Sequence, residues 1–402
     1  MLITLAMYSG DAPDAQQLAE DRQSGLGTRF QLYPQVPHVS GYEKPETVWI
    51  STPPALLRAG PEDDRMYVRD PVLPKEPYEY PYLPPFAGEA YPPAEAGPDG
   101  HFDSLEWNSR PFLAAHAFAC VRRVLDIWEN YVGHRIEWHF AETYERLEII
   151  PFVEWDNAQS GYGFLELGLD AGSGGPSYPY ALNFDVIAHE IGHSILFSLF
   201  GFPYGGAGVA DFSPFHEASA DLISLLSFLH FDSGMDRLLR GCNGNLLLLN
   251  ELNRIAELTS DRQIRLASNA RRLSEVTGEV HDRSRPFTGA IFDTIVEDYH
   301  ERLVERSLAD ERLLSVSLQD FSSGNLDDIS LLTSANFRAR PFLFKSALIE
   351  SRDAVALTLG RAWQQLDPDN LTFAEAASVI LSVAGGRVAA RLEENFRWRE
   401  IL

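Results

Sequence analysis

Between Arg110 and Gly133 the stretch RPFLAAHAFACVRRVLDIWENYVG repeats apolar residues at intervals of three and four, which predicts one amphipathic helix stopped by Gly133. The pattern then shortens. RIEWHF, RLEIIPFVEW and GYGFLELG are brief, aromatic and β-branched, as strands are. LDAGSGGPSYPY reads as a glycine- and proline-rich loop, after which the helical period returns in NFDVIAHEIGHSILFSLFG. There Val186, Ile187, Ile191, Ile195 and Leu199 are apolar, Asn183 can cap, and Gly201 and Pro203 are stop signals. Past residue 213 almost everything is helical in period, including SPFHEASADLISLLSFLH, the segment after Pro286 and SALIESRDAVALTLGRAWQQL. A strand-and-helix part is therefore expected before an all-helical part, an α+β arrangement with no internal repeat.

Proline changes the picture upstream. Fifteen of the 25 prolines lie between Pro34 and Pro98, where fixed φ and missing N–H groups oppose regular helix and interior strand. The interleaved Tyr, Phe and Leu of PVLPKEPYEYPYLPPF suit an arm lying across a folded body. The expected organisation is an irregular arm over residues 1–98, a lobe over 99–205 and a helical lobe over 206–402.

A chain of 402 residues exceeds what one core usually serves, and 45% apolar content is ample for two packed lobes around a cleft. The formal charge of −25 argues against nucleic acid and anionic membrane as partners, since both are polyanions. No apolar run reaches the roughly 18 residues of a membrane span, and no basic region precedes the short apolar patch at the start, so the cytoplasm is the expected compartment, or the exterior if a signal has been removed. Cys120 and Cys242 are too few for a disulfide scaffold or a thiolate cluster, and any metal must be held by histidines and carboxylates.

Such residues are present in HEIGH. On a helix, His189 and His193 share one face a turn apart, so their imidazoles can converge on a single ion, and zinc suits that pair best. Glu190 lies about 100° round the helix, placed to hold a water beside the metal rather than the metal itself. Gly192, unfavourable in a helix interior, implies close packing behind the turn. A tetrahedral catalytic site needs a third protein ligand. The metzincin solution is excluded because Leu196 and Leu199 occupy its positions. In SPFHEASADLISLL, Ser213 and Pro214 can open a helix whose Glu217 supplies the third ligand, with Asp221 one turn on to accept the outward N–H of His189. His216 falls elsewhere on that helix and reads as surface, while His134, His139, His230 and His300 read as structural.

FDVIAHEIGHSI and EASAD resemble the HExxH and ExxxD elements of the gluzincins, and more closely those of the thermolysin-like metallopeptidases. WDNAQSGYGFLELG resembles that family's substrate-holding edge strand, VHDRS its transition-state histidine segment, and GRAWQQLDPDNLTFAEAASVIL its last helices, so the resemblance covers about residues 100–390. It implies a zincin-type two-lobe fold with the active site between the lobes, and a zinc endopeptidase acting on peptide or protein substrates. It further implies oxyanion roles for His281 and Tyr204, substrate backbone contacts at Asn157 and Ala158, and a substrate carbonyl contact at Arg254; Val186, one turn before the first ligand, is placed to line an apolar specificity pocket. The gap between His193 and Glu217 is about four residues longer than the family pattern, assigned to an insertion in the loop YGGAGVADF. Glu275 and Glu279 are candidates for the acid that orients His281, and Asp185 stands where one calcium ligand of the family would be. Two alternatives remain open. One is an aminopeptidase, in which Glu166 of GFLEL anchors a free amino group; the other is a non-catalytic zinc-containing binding protein.

Overall fold

The computed structural model describes residues 27–72, 74–170, 178–204, 211–248, 254–259, 262–315 and 326–402, except the side chains at 170, 254–259, 262–266, 326–330 and 332. It is a mixed α and β molecule, with strands in its N-terminal part and helices dominating its C-terminal part.

β1 (Thr28–Leu32) and β2 (Glu46–Ile50) form an antiparallel hairpin pairing Thr28 with Ile50 and Leu32 with Glu46. β1 alternates buried and half-buried residues, the period-two signature of a strand with one face on a core. β3 (Met66–Val68) follows, so the proline-rich stretch contains two strands, and β3 belongs to the central sheet. α1 (Arg110–Val132) is the helix expected from its periodicity. Ser109 caps it by accepting the Phe112 N–H, and Gly133 ends it at φ +90°, a conformation only glycine adopts cheaply.

β4 (Leu147–Ile150), β5 (Ala158–Gly161) and β6 (Phe164–Leu167) complete the sheet in the order β3-β4-β6-β5. β3, β4 and β6 run parallel and β5 is an antiparallel edge strand, with Ser160 opposite Leu165. RIEWHF is not a strand: Trp138 and Phe140 stack and bury there in irregular backbone, so aromatic packing without a ladder produced the strand-like signal. β7 (Leu169–Asp170) and β8 (Tyr178–Pro179) form a short pair leading to α2.

α2 (Phe184–Phe200) starts at Asn183, whose side chain accepts the Val186 N–H, and ends at Gly201. α3 (Phe212–Phe228) packs closely against it, and Gly192 makes that approach possible. A Cβ at Gly192 would stand 3.3 Å from both Ala220 Cα and Ile223 Cγ2. α4 (Asp232–Gly241) is followed by a feature the helical period did not suggest, a hairpin of β9 (Arg254–Thr259) and β10 (Arg262–Leu266). α5 (Val280–Glu305) starts before Pro286, not after it, because Glu279 caps the new N-terminus by accepting the Asp282 N–H. α6 (Leu326–Ala339), α7 (Pro341–Trp363), α8 (Phe373–Val383) and α9 (Gly386–Trp398) complete the chain. One contiguous apolar cluster runs from β1 through α1, α2 and α3 to α9. No helix among the described residues is long and apolar enough to cross a membrane.

Candidate metal centre

α2 carries two histidines on the face it turns toward α3. The Nε2 atoms of His189 and His193 lie 3.1 Å apart. From α3, Glu217 brings Oε2 to 3.3 Å from His189 Nε2 and Oε1 to 3.6 Å from His193 Nε2. A tetrahedral ion with bonds of about 2.0–2.1 Å holds its donors about 3.3–3.4 Å apart, and these separations, measured to two different oxygens of Glu217, are close to that. His189 is buried while His193 and Glu217 are half-buried, so the cluster is not sealed from solvent. Burial raises the Glu217 pKa, but hydrogen bonds from His189 and His281 and the charge of His193 outweigh it and hold the carboxyl well below the usual range.

The outward nitrogens of both imidazoles are also held. His189 Nδ1 lies 3.0 Å from Oδ1 of Asp221, one turn along α3 from Glu217. His193 Nδ1 lies 2.7 Å from Nδ1 of His216, and with ring centroids 4.9 Å apart and an interplanar angle of 12° the two imidazoles meet nearly edge to edge. The reading of His216 as surface is therefore corrected. Every residue of α3 except Ser213 and Glu217 is buried, so the helix has no solvent face for it to occupy. Burial first, and then His193, push its pKa well below the ordinary histidine value. A signal did exist in its apolar flanks, since PFHEA contains no polar residue besides the His-Glu pair.

Two further elements reach the cluster. Glu190 Oε2 accepts the backbone N–H of Ser160 at 3.0 Å, which ties α2 to the edge strand β5. His281 lies in the first turn of α5, half-exposed, with Nδ1 3.2 Å from Glu217 Oε2. Asn157 is exposed just ahead of β5, and Ala158 is buried within it opposite Leu167.

Other expected residues go elsewhere. Glu166 is fully buried, paired with Lys75 Nζ, and also accepts the Tyr78 N–H at 2.8 Å and the Gln159 side-chain amide at 2.7 Å. An amino-group anchor cannot already be consumed this way, so its assigned role is withdrawn. Lys75 lies 91 positions away in the sequence, and no local pattern announces the pair. Val186 is buried in the main apolar cluster rather than walling a cleft. The Tyr204 side chain is fully exposed, its backbone N–H bonded to Asp369 at 2.6 Å, and nothing among the described residues joins it to the histidines. Arg254 opens β9, and its side chain lies outside the described residues, as do residues 205–210 of the loop that was assigned an insertion. Glu275 accepts the Arg272 N–H and Glu279 caps α5, so both carboxyls serve backbone. Asp185 is buried and accepts from Gln35 Nε2 at 2.6 Å.

No family model and no curated protein matches the sequence. Among solved structures, the chain is similar to the precursor of protealysin, a metalloproteinase from Serratia proteamaculans, with 12% identity and a TM-score of 0.44 over 86% of this chain and 90% of that one. A superposition this loose fixes neither the site nor its chemistry.

Proposed function

We propose that this protein is a zinc-dependent metallopeptidase that cleaves peptide bonds within a chain. The observation that carries the reading is the cluster of His189 Nε2, His193 Nε2 and the Glu217 carboxylate, with separations near those of a tetrahedral ion and two of the three residues half-buried, and an acid next in sequence to His189, Glu190, that is not one of the three donors. A bound zinc would supply Lewis acidity and lower the pKa of a water to about 7. Glu190 then takes a proton from the attacking water and returns it to the departing amine nitrogen. Its bond to Ser160 ties that carboxylate to the edge strand. His281, at the rim, donates an N–H to the charge developing on the carbonyl oxygen.

β5 receives the substrate. The Ser160 N–H points away from β6 and is taken by Glu190, and because strand residues alternate, the backbone groups of Ala158 face the same outer edge. An extended peptide can add there as a further strand. The occupied Glu166 favours internal cleavage over removal of N-terminal residues, because nothing at that position is left to bind a free amine.

The test is cleavage of an N-blocked peptide library, with zinc content measured in parallel, for wild type and Glu190→Gln. The variant should keep its zinc and lose about 10²- to 10⁴-fold in kcat. Zinc retained with no cleavage in wild type would favour a non-catalytic zinc protein instead.

A further inference from the structure

His216 stands outside the donor triangle, yet its Nδ1 is only 2.7 Å from Nδ1 of a triangle member, His193. At that separation one nitrogen must donate and the other accept. A neutral imidazole carries a single N–H, so a His193 whose Nε2 lone pair faces the triangle must carry its proton on Nδ1. His193 is thus the donor. His216 must then accept at Nδ1 and carry its own proton on Nε2.

That second proton has a costly position. His216 Nε2 is buried with no hydrogen-bond partner among the described residues. The ring sits instead among Phe197, Phe212 and Phe200, at centroid distances of 4.2, 5.5 and 5.8 Å. Burying an unpaired N–H is unfavourable, and a phenylalanine would fill the same space without that penalty. What a phenylalanine lacks is the acceptor at the Nδ1 position. The two ligand imidazoles are also held unequally, His189 by the Asp221 carboxylate at 3.0 Å and His193 by a neutral ring.

We propose that His216 is a positioning residue for the metal, its Nδ1 lone pair fixing the tautomer and ring orientation of His193. The proposal rests on the reading of His189, His193 and Glu217 as a zinc site. The phenylalanine cage fixes His216 in turn, so orientation passes from packed aromatic rings through one N–H···N bond to a ligand atom.

The test measures zinc affinity of the full chain by competition with a chromophoric chelator. Three variants are compared with wild type, with folding checked by circular dichroism. His216→Phe keeps an aromatic ring and removes the acceptor, and should weaken zinc binding about 10- to 100-fold. His216→Asn carries a carbonyl oxygen near the Nδ1 position and should recover affinity to within about threefold, while His216→Gln places its acceptor nearer Nε2 and should stay weak. A folded phenylalanine variant with wild-type affinity overturns the proposal. If that variant does not fold, equal affinities for the asparagine and glutamine variants overturn it, because only placement of the acceptor separates them. Wild type that binds no zinc overturns the site itself, a distinct outcome.

Discussion

At the scale of the residue, the structure separates two acids that the sequence places side by side as candidates. Glu166 and Glu190 are both acids near the edge strand, yet one is fully buried against Lys75 and the other sits half-buried on Ser160. Lys75 also lies 3.6 Å from the centre of the Tyr78 ring, and neither member of its ion pair is exposed. Removing one partner of such a pair strands the other charge. Lys75→Met should cost about 3–5 kcal/mol in urea unfolding, whereas a loss under 1 kcal/mol would mean that water reaches Glu166. Legibility at this scale followed sequence distance. His189, Glu190 and His193 were readable because a helix fixes their relation within five positions, and Glu217 because a second helix with its own start signal follows. Lys75 with Glu166, Ser160 with Glu190 and His216 with His193 depend on how separate elements pack, and no local spacing encodes that.

At the scale of the element, the site depends on how closely α2 and α3 approach. Gly192 sets that distance, and its cost in helix propensity was the sequence signal for it. Gly192→Val would force its branched side chain into Ala220 and Ile223, displacing the helix that carries Glu217. We expect zinc affinity to fall about tenfold or more, comparable to loss of a contact that orients a ligand, and competition titration reads this directly. The α1, α2 and α3 helices were legible because periodicity and caps agreed. The β9–β10 hairpin was not, since its segments RIAELT and RQIRL are too short for their period to stand out among helices.

The contact between α5 and α9 supplies a pH-dependent term. Burial, with Asp293 nearby, pushes Glu297 up to about 7, against the opposing hydrogen bond from Asn395 on α9. Its ordinary value is 4.5, so the folded state holds the proton more tightly than the unfolded chain. The resulting stabilisation is complete below about pH 4.5 and is lost as pH rises through 7. Glu297→Gln should therefore match wild type near pH 4.5 and exceed it at pH 8 by up to about 3 kcal/mol. Urea unfolding at both pH values checks this, and equal stability at pH 8 would show that the carboxylate is well solvated.

At the scale of the whole molecule, the proline-rich stretch and the helices are parts of one packed system. β3 adds to the sheet that bears β5, Lys75 and Tyr78 bond Glu166 of β6, and α2 and α3 carry the three candidate donors. The overall division into strands first and helices later was legible because hydrophobic period changes along the chain. The contribution of residues 46–50 and 66–68 was not, because prolines around them masked two short strands. The proposed function rests on these two imidazoles and one carboxylate holding a single cation. The most direct test is the metal content of the purified full chain after zinc loading and removal of excess, with zinc-edge X-ray absorption on the same sample. The account predicts one zinc per chain in a shell containing two imidazole nitrogens, lost in His189→Ala with His193→Ala and sharply weakened in Glu217→Ala. Full zinc content in the double alanine variant, or none in wild type, would contradict it.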